Sequence, residues 1–144
     1  MGAESQASPR GVLDQLQGAM NEHDLKAFLA CFHPDYRSEQ PAHPERGFGG
    51  REQVEKNWAA LFGGIPDFRA ELLGTAVEGD TVWAEWHWTG TREDGSPLDL
   101  RGVTLFGAET GQIAWGRLYM EEVEAEGEDI DETVRRLSGR DQEG

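Results

Sequence analysis

From Arg10 to Asn21 the apolar side chains fall at Val12, Leu13, Leu16, Ala19 and Met20, the period of a helix with one buried face. Gly18 weakens that helix slightly. The polar run Asn21-Glu22-His23-Asp24 ends it, and Asp24 is placed to cap a second helix, Leu25 to Phe32. Leu25, Phe28, Leu29 and Phe32 form the apolar stripe of that helix, and Pro34 stops it because the residue before a proline avoids the helical region. Tyr36 to Gln40 reads as a short strand, and the loop PAHPERGFGG that follows is too rich in Pro and Gly for regular structure. A third helix runs from Arg51 to Phe62 with Val54, Trp58, Leu61 and Phe62 on one face; Gly63-Gly64 caps it and Pro66 prevents its continuation.

Past Pro66 the period becomes that of strands. Phe68 to Val77 ends at Glu78-Gly79-Asp80, a hairpin signal. Three more runs follow: Thr81 to Arg92, Leu98 to Gly107 and Ile113 to Val123, separated by the turn formers Glu93-Asp94-Gly95-Ser96-Pro97 and Glu109-Thr110-Gly111-Gln112. Alternation divides these runs into two faces. One carries Ala84, Trp86, Trp88, Leu98, Leu100, Gly102, Thr104, Phe106, Gly116, Leu118 and Met120 and is expected to meet the helices. The other mixes aromatics with opposite charges: Trp83, Glu85, His87, Asp99, Arg101, Val103, Leu105, Trp115, Arg117, Tyr119 and Glu121. A register slip of one residue would bring His87, Glu85 and Asp99 inward, burying charge and exposing the Trp86/Trp88/Leu118/Met120 set, which is heavily disfavoured. Helices segregated to one face of a mostly antiparallel curved sheet predict an α+β fold. Residues 1–9 read as a flexible lead-in, 10–123 as the domain and 124–144 as an acidic tail, in which Ile130, Val134 and Leu137 share one face of a short helix.

At 144 residues the chain is long enough for one core. Its formal charge of −15 argues against nucleic acid and anionic membrane surfaces as partners. No apolar run spans a bilayer, and the amino end lacks the apolar stretch of a signal peptide. The single cysteine, Cys31, permits no intrachain disulfide, which fits a cytoplasmic location. Cys31-x-His33 is a poor metal pair, since helix geometry separates the two side chains and no third ligand stands out. No base or lowered pKa marks Cys31 as a nucleophile. No phosphate-cradling glycine motif follows a strand, so no nucleotide cofactor is indicated. We expect no metal and no cofactor.

The element order, with FHPDY, a Gly-rich loop, G-REQV, TGT and TGQI in sequence, resembles the SnoaL-like group of the nuclear transport factor 2-like superfamily over roughly Val12 to Val123. The resemblance implies a cone: a curved antiparallel sheet wrapped around three N-terminal helices, with a pocket inside. Relatives include polyketide cyclases, ketosteroid isomerase and limonene epoxide hydrolase, so the fold alone does not give the function. The positions that carry acid/base chemistry in limonene epoxide hydrolase align here with Trp88, Trp86 and Leu118. Those of ketosteroid isomerase align with Gln40, Leu16 and Val103 or Thr104, and those of SnoaL-type cyclases with Leu118 and Thr104. None of these residues reproduces the relatives' catalytic sets.

The expected cone is therefore apolar, with polar points at Ser38, Gln40 and Thr104, and is closed by Phe32, Trp58 and Phe62. Ser38, Gln40, Trp58, Trp86, Trp88, Thr104, Leu118 and Met120 are the candidate ligand-binding residues for a small apolar molecule. Packing of the same aromatics as plain core is the alternative. Trp83, His87, Arg101, Trp115, Arg117 and Tyr119 suit a homodimer interface on the outer sheet face, against a solvated face of cross-strand ion pairs. His43 and Tyr36, near the loop Arg46-Gly47-Phe48-Gly49, are the weak candidates for acid/base work at the mouth of the cone. Glu121 and Glu122 close the last strand at an exposed rim. Three functions stay open: a binding domain without the usual catalytic residues, a cyclase- or isomerase-type enzyme built on a set such as His43, Tyr36 and Gln40, and a dimerisation module whose cone is filled by its own side chains.

Overall fold

The computed structural model describes residues 8–140. Helix α1, Pro9–Glu22, starts where the Ser8 hydroxyl accepts the Gly11 amide at 3.0 Å and proline fills the first turn. It stops at His23, whose left-handed backbone (φ 55°) returns its N–H to the Met20 carbonyl. Helix α2, Leu25–Ala30, is capped by Asp24, which accepts the Ala27 amide at 3.0 Å. It ends before the length read from the sequence, because Phe32 instead opens strand β1, Phe32–Glu39. Pro34 thus lies within a strand rather than beyond a helix. It falls where the pairing of β1 shifts between Phe32 and Arg37, an irregularity that tolerates a residue with no N–H.

The loop expected to be irregular contains a 3-10 turn, Pro44–Arg46, and a two-residue strand β2, Phe48–Gly49, paired antiparallel to β1. Helix α3 is Arg51–Gly64, and strands β3 to β6 are Arg69–Glu78, Thr81–Thr91, Pro97–Glu109 and Gln112–Glu122. Helix α4, Ile130–Leu137, follows. The six strands form one sheet in the order β2-β1-β6-β5-β4-β3. β3 to β6 pair antiparallel, but β1 runs parallel to β6, so the first strand enters the sheet beside the last.

The pairing register sets Ala84 opposite Thr104, Thr104 opposite Leu118, and Gly102 between Trp86 and Met120. The inward set Ala84, Trp86, Trp88, Thr104, Phe106 and Met120 is buried under the helices, and Trp83, Glu85 and Tyr119 on the other face are exposed. This is the division that alternation predicts, with no slip. Leu105 departs from it: although outward, it is buried, lying between its cross-strand neighbours Trp83 and Arg117. Beside it the Trp115 ring covers Gly107, where any Cβ would strike the indole, and the Arg117 guanidinium lies 4.9 Å from the ring centre. At the far end, Asp129 and Glu132 form a capping box for α4, whose Ile130, Val134 and Leu137 remain exposed.

Candidate functional site

The concave face of the sheet and the helices enclose a cavity of about 200 Å³. Each element contributes by its own period. Alternation on β1 turns Tyr36 and Ser38 inward, and Gln40 follows just beyond the strand. β4 supplies Trp86 and Trp88, β5 Thr104 and Phe106, and β6 Leu118. The inner faces of α1 and α3 add Leu16, Met20, Val54, Asn57, Trp58 and Leu61.

An aromatic belt fixes this wall. Phe28 packs on Trp58 at 4.6 Å between ring centres, Trp58 meets Trp88 edge-on at 5.6 Å, and Trp88 meets Trp86 at 5.8 Å. The Trp86 indole donates to the Thr104 hydroxyl at 2.8 Å. Trp88 Nε1 is the buried side-chain polar atom without a partner among the described residues. Tyr36 stacks edge-on against Phe32 at 4.9 Å, and its hydroxyl lies where a Gly116 side chain would be. Burial pushes the Tyr36 phenol up to about 12, opposed by a hydrogen bond with Ser38, so it is neutral at physiological pH.

At the rim, the Arg46 guanidinium donates to Gln40 Oε1 at 3.2 Å. His43 Nε2 lies 2.9 Å from the Glu121 carboxylate, tying the mouth loop to the end of β6. His43 does not line the cavity, whereas its companion candidate Tyr36 does. Of the residues picked as ligand-binding, Ser38, Gln40, Trp58, Trp86, Trp88, Thr104 and Leu118 line it; Met120 is buried on the same face but lies outside the wall. Sequence reasoning missed Asn57, which sits one turn from Val54 on the inner face of α3, a spacing that could have marked it. It also missed the link between Arg46 and Gln40.

The remaining groups offer little chemistry. Cys31 is buried and its thiol is pushed up to about 11 by loss of solvent, the opposite of nucleophile activation. No cluster of three or more potential metal ligands occurs among the described residues. On the outer face, Trp83 and Tyr119 are each 43% exposed, and His87 bridges Asp99 at 2.7 Å. No helix is long and apolar enough to cross a membrane among the described residues.

The SnoaL-like domain profile matches residues 12–116. Among proteins of curated function, none matches the chain by sequence. Among solved structures, the chain is similar to a proposed isomerase from Bacillus subtilis, 18% identical with a TM-score of 0.69 over 97% of this chain and 96% of that one. It is also similar to a proposed SnoaL-like polyketide cyclase from Jannaschia (22% identity, TM-score 0.67, 90% and 91% of the two chains). A third is IdmH, a proposed polyketide cyclase from Streptomyces antibioticus (20% identity, TM-score 0.64, 78% and 91%). At these identities the likeness is one of fold.

Proposed function

The chain belongs to the SnoaL-like domain family, and on that premise we propose that it binds a small, largely apolar molecule in its cone, without the acid/base set its enzymatic relatives use. One observation carries the reading: the wall of the cavity is mostly aromatic and aliphatic, and its one ionisable side chain among the described residues, Tyr36, is held neutral. A cavity of about 200 Å³ is somewhat larger than the ~150 Å³ apolar cavity that takes up benzene, so a fused two-ring molecule is the upper range of fit. Ser38 and Gln40 orient the ligand by hydrogen bonds, and Trp58, Trp86, Trp88, Thr104 and Leu118 shape the space. The domain works as a homodimer through its outer face, where Trp83 and Tyr119 are exposed beside the Trp115–Arg117 pair.

Native mass spectrometry of the purified protein tests this, with mild denaturation to release what it carries. A co-purifying apolar molecule at one per subunit is the expected result. Turnover of a polyketide, steroid or epoxide that Gln40→Ala abolishes would overturn the non-catalytic reading. A catalytic version draws support from Tyr36 and Gln40 sharing the wall, where both can donate to a developing oxyanion. In that version His43 is poorly placed as the base, because it lies outside the cavity wall and is tied to Glu121 at the rim. Activity that survives His43→Ala would remove it from the set.

A further inference from the structure

Resting on the ligand-site reading above, the geometry points to Arg46 as the residue that decides which molecules the cone accepts. Its donation engages the Gln40 carbonyl at the rim, which leaves the amide NH2 to serve the cavity that Gln40 lines. The site therefore takes a ring compound bearing a hydrogen-bond acceptor and disfavours the alcohol of the same shape.

A glutamine amide can ordinarily be placed either way round, because its oxygen and nitrogen look alike. Here chemistry settles the orientation. A guanidinium has five donors and no acceptor, so the Gln40 atom facing Arg46 at 3.2 Å must be the oxygen. The Gln40 NH2 has no acceptor among the described residues, and Gln40 lines the cavity. The same logic holds deeper in the wall. An indole nitrogen can only donate, so Trp86 occupies a lone pair of the Thr104 hydroxyl at 2.8 Å. The wall thus presents unmatched hydrogens on the Gln40 amide and on the buried Trp88 indole nitrogen, which has no partner among the described residues. A ligand carbonyl meets these hydrogens. A ligand hydroxyl at the same place brings another hydrogen, and burying it unpaired is costly.

Arg46 acts through Gln40 and is a positioning residue. It is exposed on the 3-10 turn, so its replacement leaves the core intact. Removing it frees the amide to rotate and present its oxygen inward. The test is a titration with indanone, indanol and indane, followed by quenching of tryptophan fluorescence, in the wild type, Arg46→Ala and Arg46→Lys. In the wild type indanone binds about tenfold tighter than indanol, the difference one hydrogen bond makes, with indane the apolar baseline. In Arg46→Ala that ratio falls to about threefold or less, and Arg46→Lys, which still donates, restores most of it. A structural role for Arg46 would change all three affinities together and leave the ratio alone. Equal binding of ketone and alcohol by the wild type, or a ratio that survives Arg46→Ala, overturns this inference and leaves the ligand site standing. Failure of all three probes to bind overturns the ligand site and the inference with it.

Discussion

Trp86 and Thr104 are joined across β4 and β5 by a hydrogen bond of 2.8 Å, with both residues at most 1% exposed. The indole nitrogen has no other partner, so the hydroxyl is what makes burial of Trp86 tolerable. Thr104→Val keeps the shape and removes the acceptor. It is expected to lower stability by about 1–3 kcal/mol in urea unfolding, the penalty of a buried unpaired donor. Trp86→Phe combined with Thr104→Val is expected to cost less than the sum of the single changes, because no donor is then left unpaired. Simple additivity would show that the two residues are not coupled.

Gly116 on β6 leaves room for Tyr36. A Cβ there would come within 2.5 Å of the Tyr36 hydroxyl and 3.1 Å of the Phe106 ring. Gly116→Ala is therefore expected to displace the phenol and destabilise the fold by about 1–3 kcal/mol, as overpacking does. Gly18, with nothing near its missing side chain and an interior helical position, is the control. Gly18→Ala is expected to stabilise by roughly 0.5–1 kcal/mol. Thermal melts of the two variants that move in the same direction would contradict the packing described for Gly116.

Burial raises the Tyr36 phenol to about 12, so the folded chain holds this proton more tightly than the unfolded chain, where release occurs at about 10. The contribution of Tyr36 to stability is thus complete below about pH 10 and is lost as the pH climbs from there toward 12. Cys31, raised to about 11 by burial, adds to the same alkaline decline. The chain has two tyrosines, so the phenolate absorbance of the wild type minus that of Tyr36→Phe isolates this titration. A midpoint of about 12 is expected; one at about 10 would mean that water reaches the phenol.

Trp83 and Tyr119 give the outer face its exposed aromatic area. If that face joins two copies, the wild type sediments as a dimer, and Trp83→Glu with Tyr119→Glu sediments as a monomer with an unchanged circular dichroism spectrum. A wild-type monomer, or a double variant that remains dimeric, would remove the interface from this face.

Much of the architecture was legible in the residues because it is periodic. The spacing of Val12, Leu16 and Met20 marked the buried side of α1, and alternation from Ala84 to Trp88 separated the concave face from the outer one. That alternation also put Trp86, Trp88, Thr104 and Leu118 on the cavity wall. The element boundaries around Pro34 were not legible. β1 begins at Phe32 because its backbone pairs with Ile113 of β6, a partner remote in sequence, and that pairing outweighs the local helical pattern.

The sequence by itself determined which side chains face inward, since periodicity is a property of consecutive residues. It also determined that the inward set is mostly apolar. Tertiary structure alone decided how the polar groups meet: that His43 is held by Glu121, that Arg46 donates to the Gln40 carbonyl, and that Tyr36 rests over Gly116 as a neutral phenol. Each of these depends on where a loop or strand edge comes to lie against a distant segment. No local pattern encodes that position, because the loop is fixed by packing and long-range hydrogen bonds rather than by its own residues' preferences.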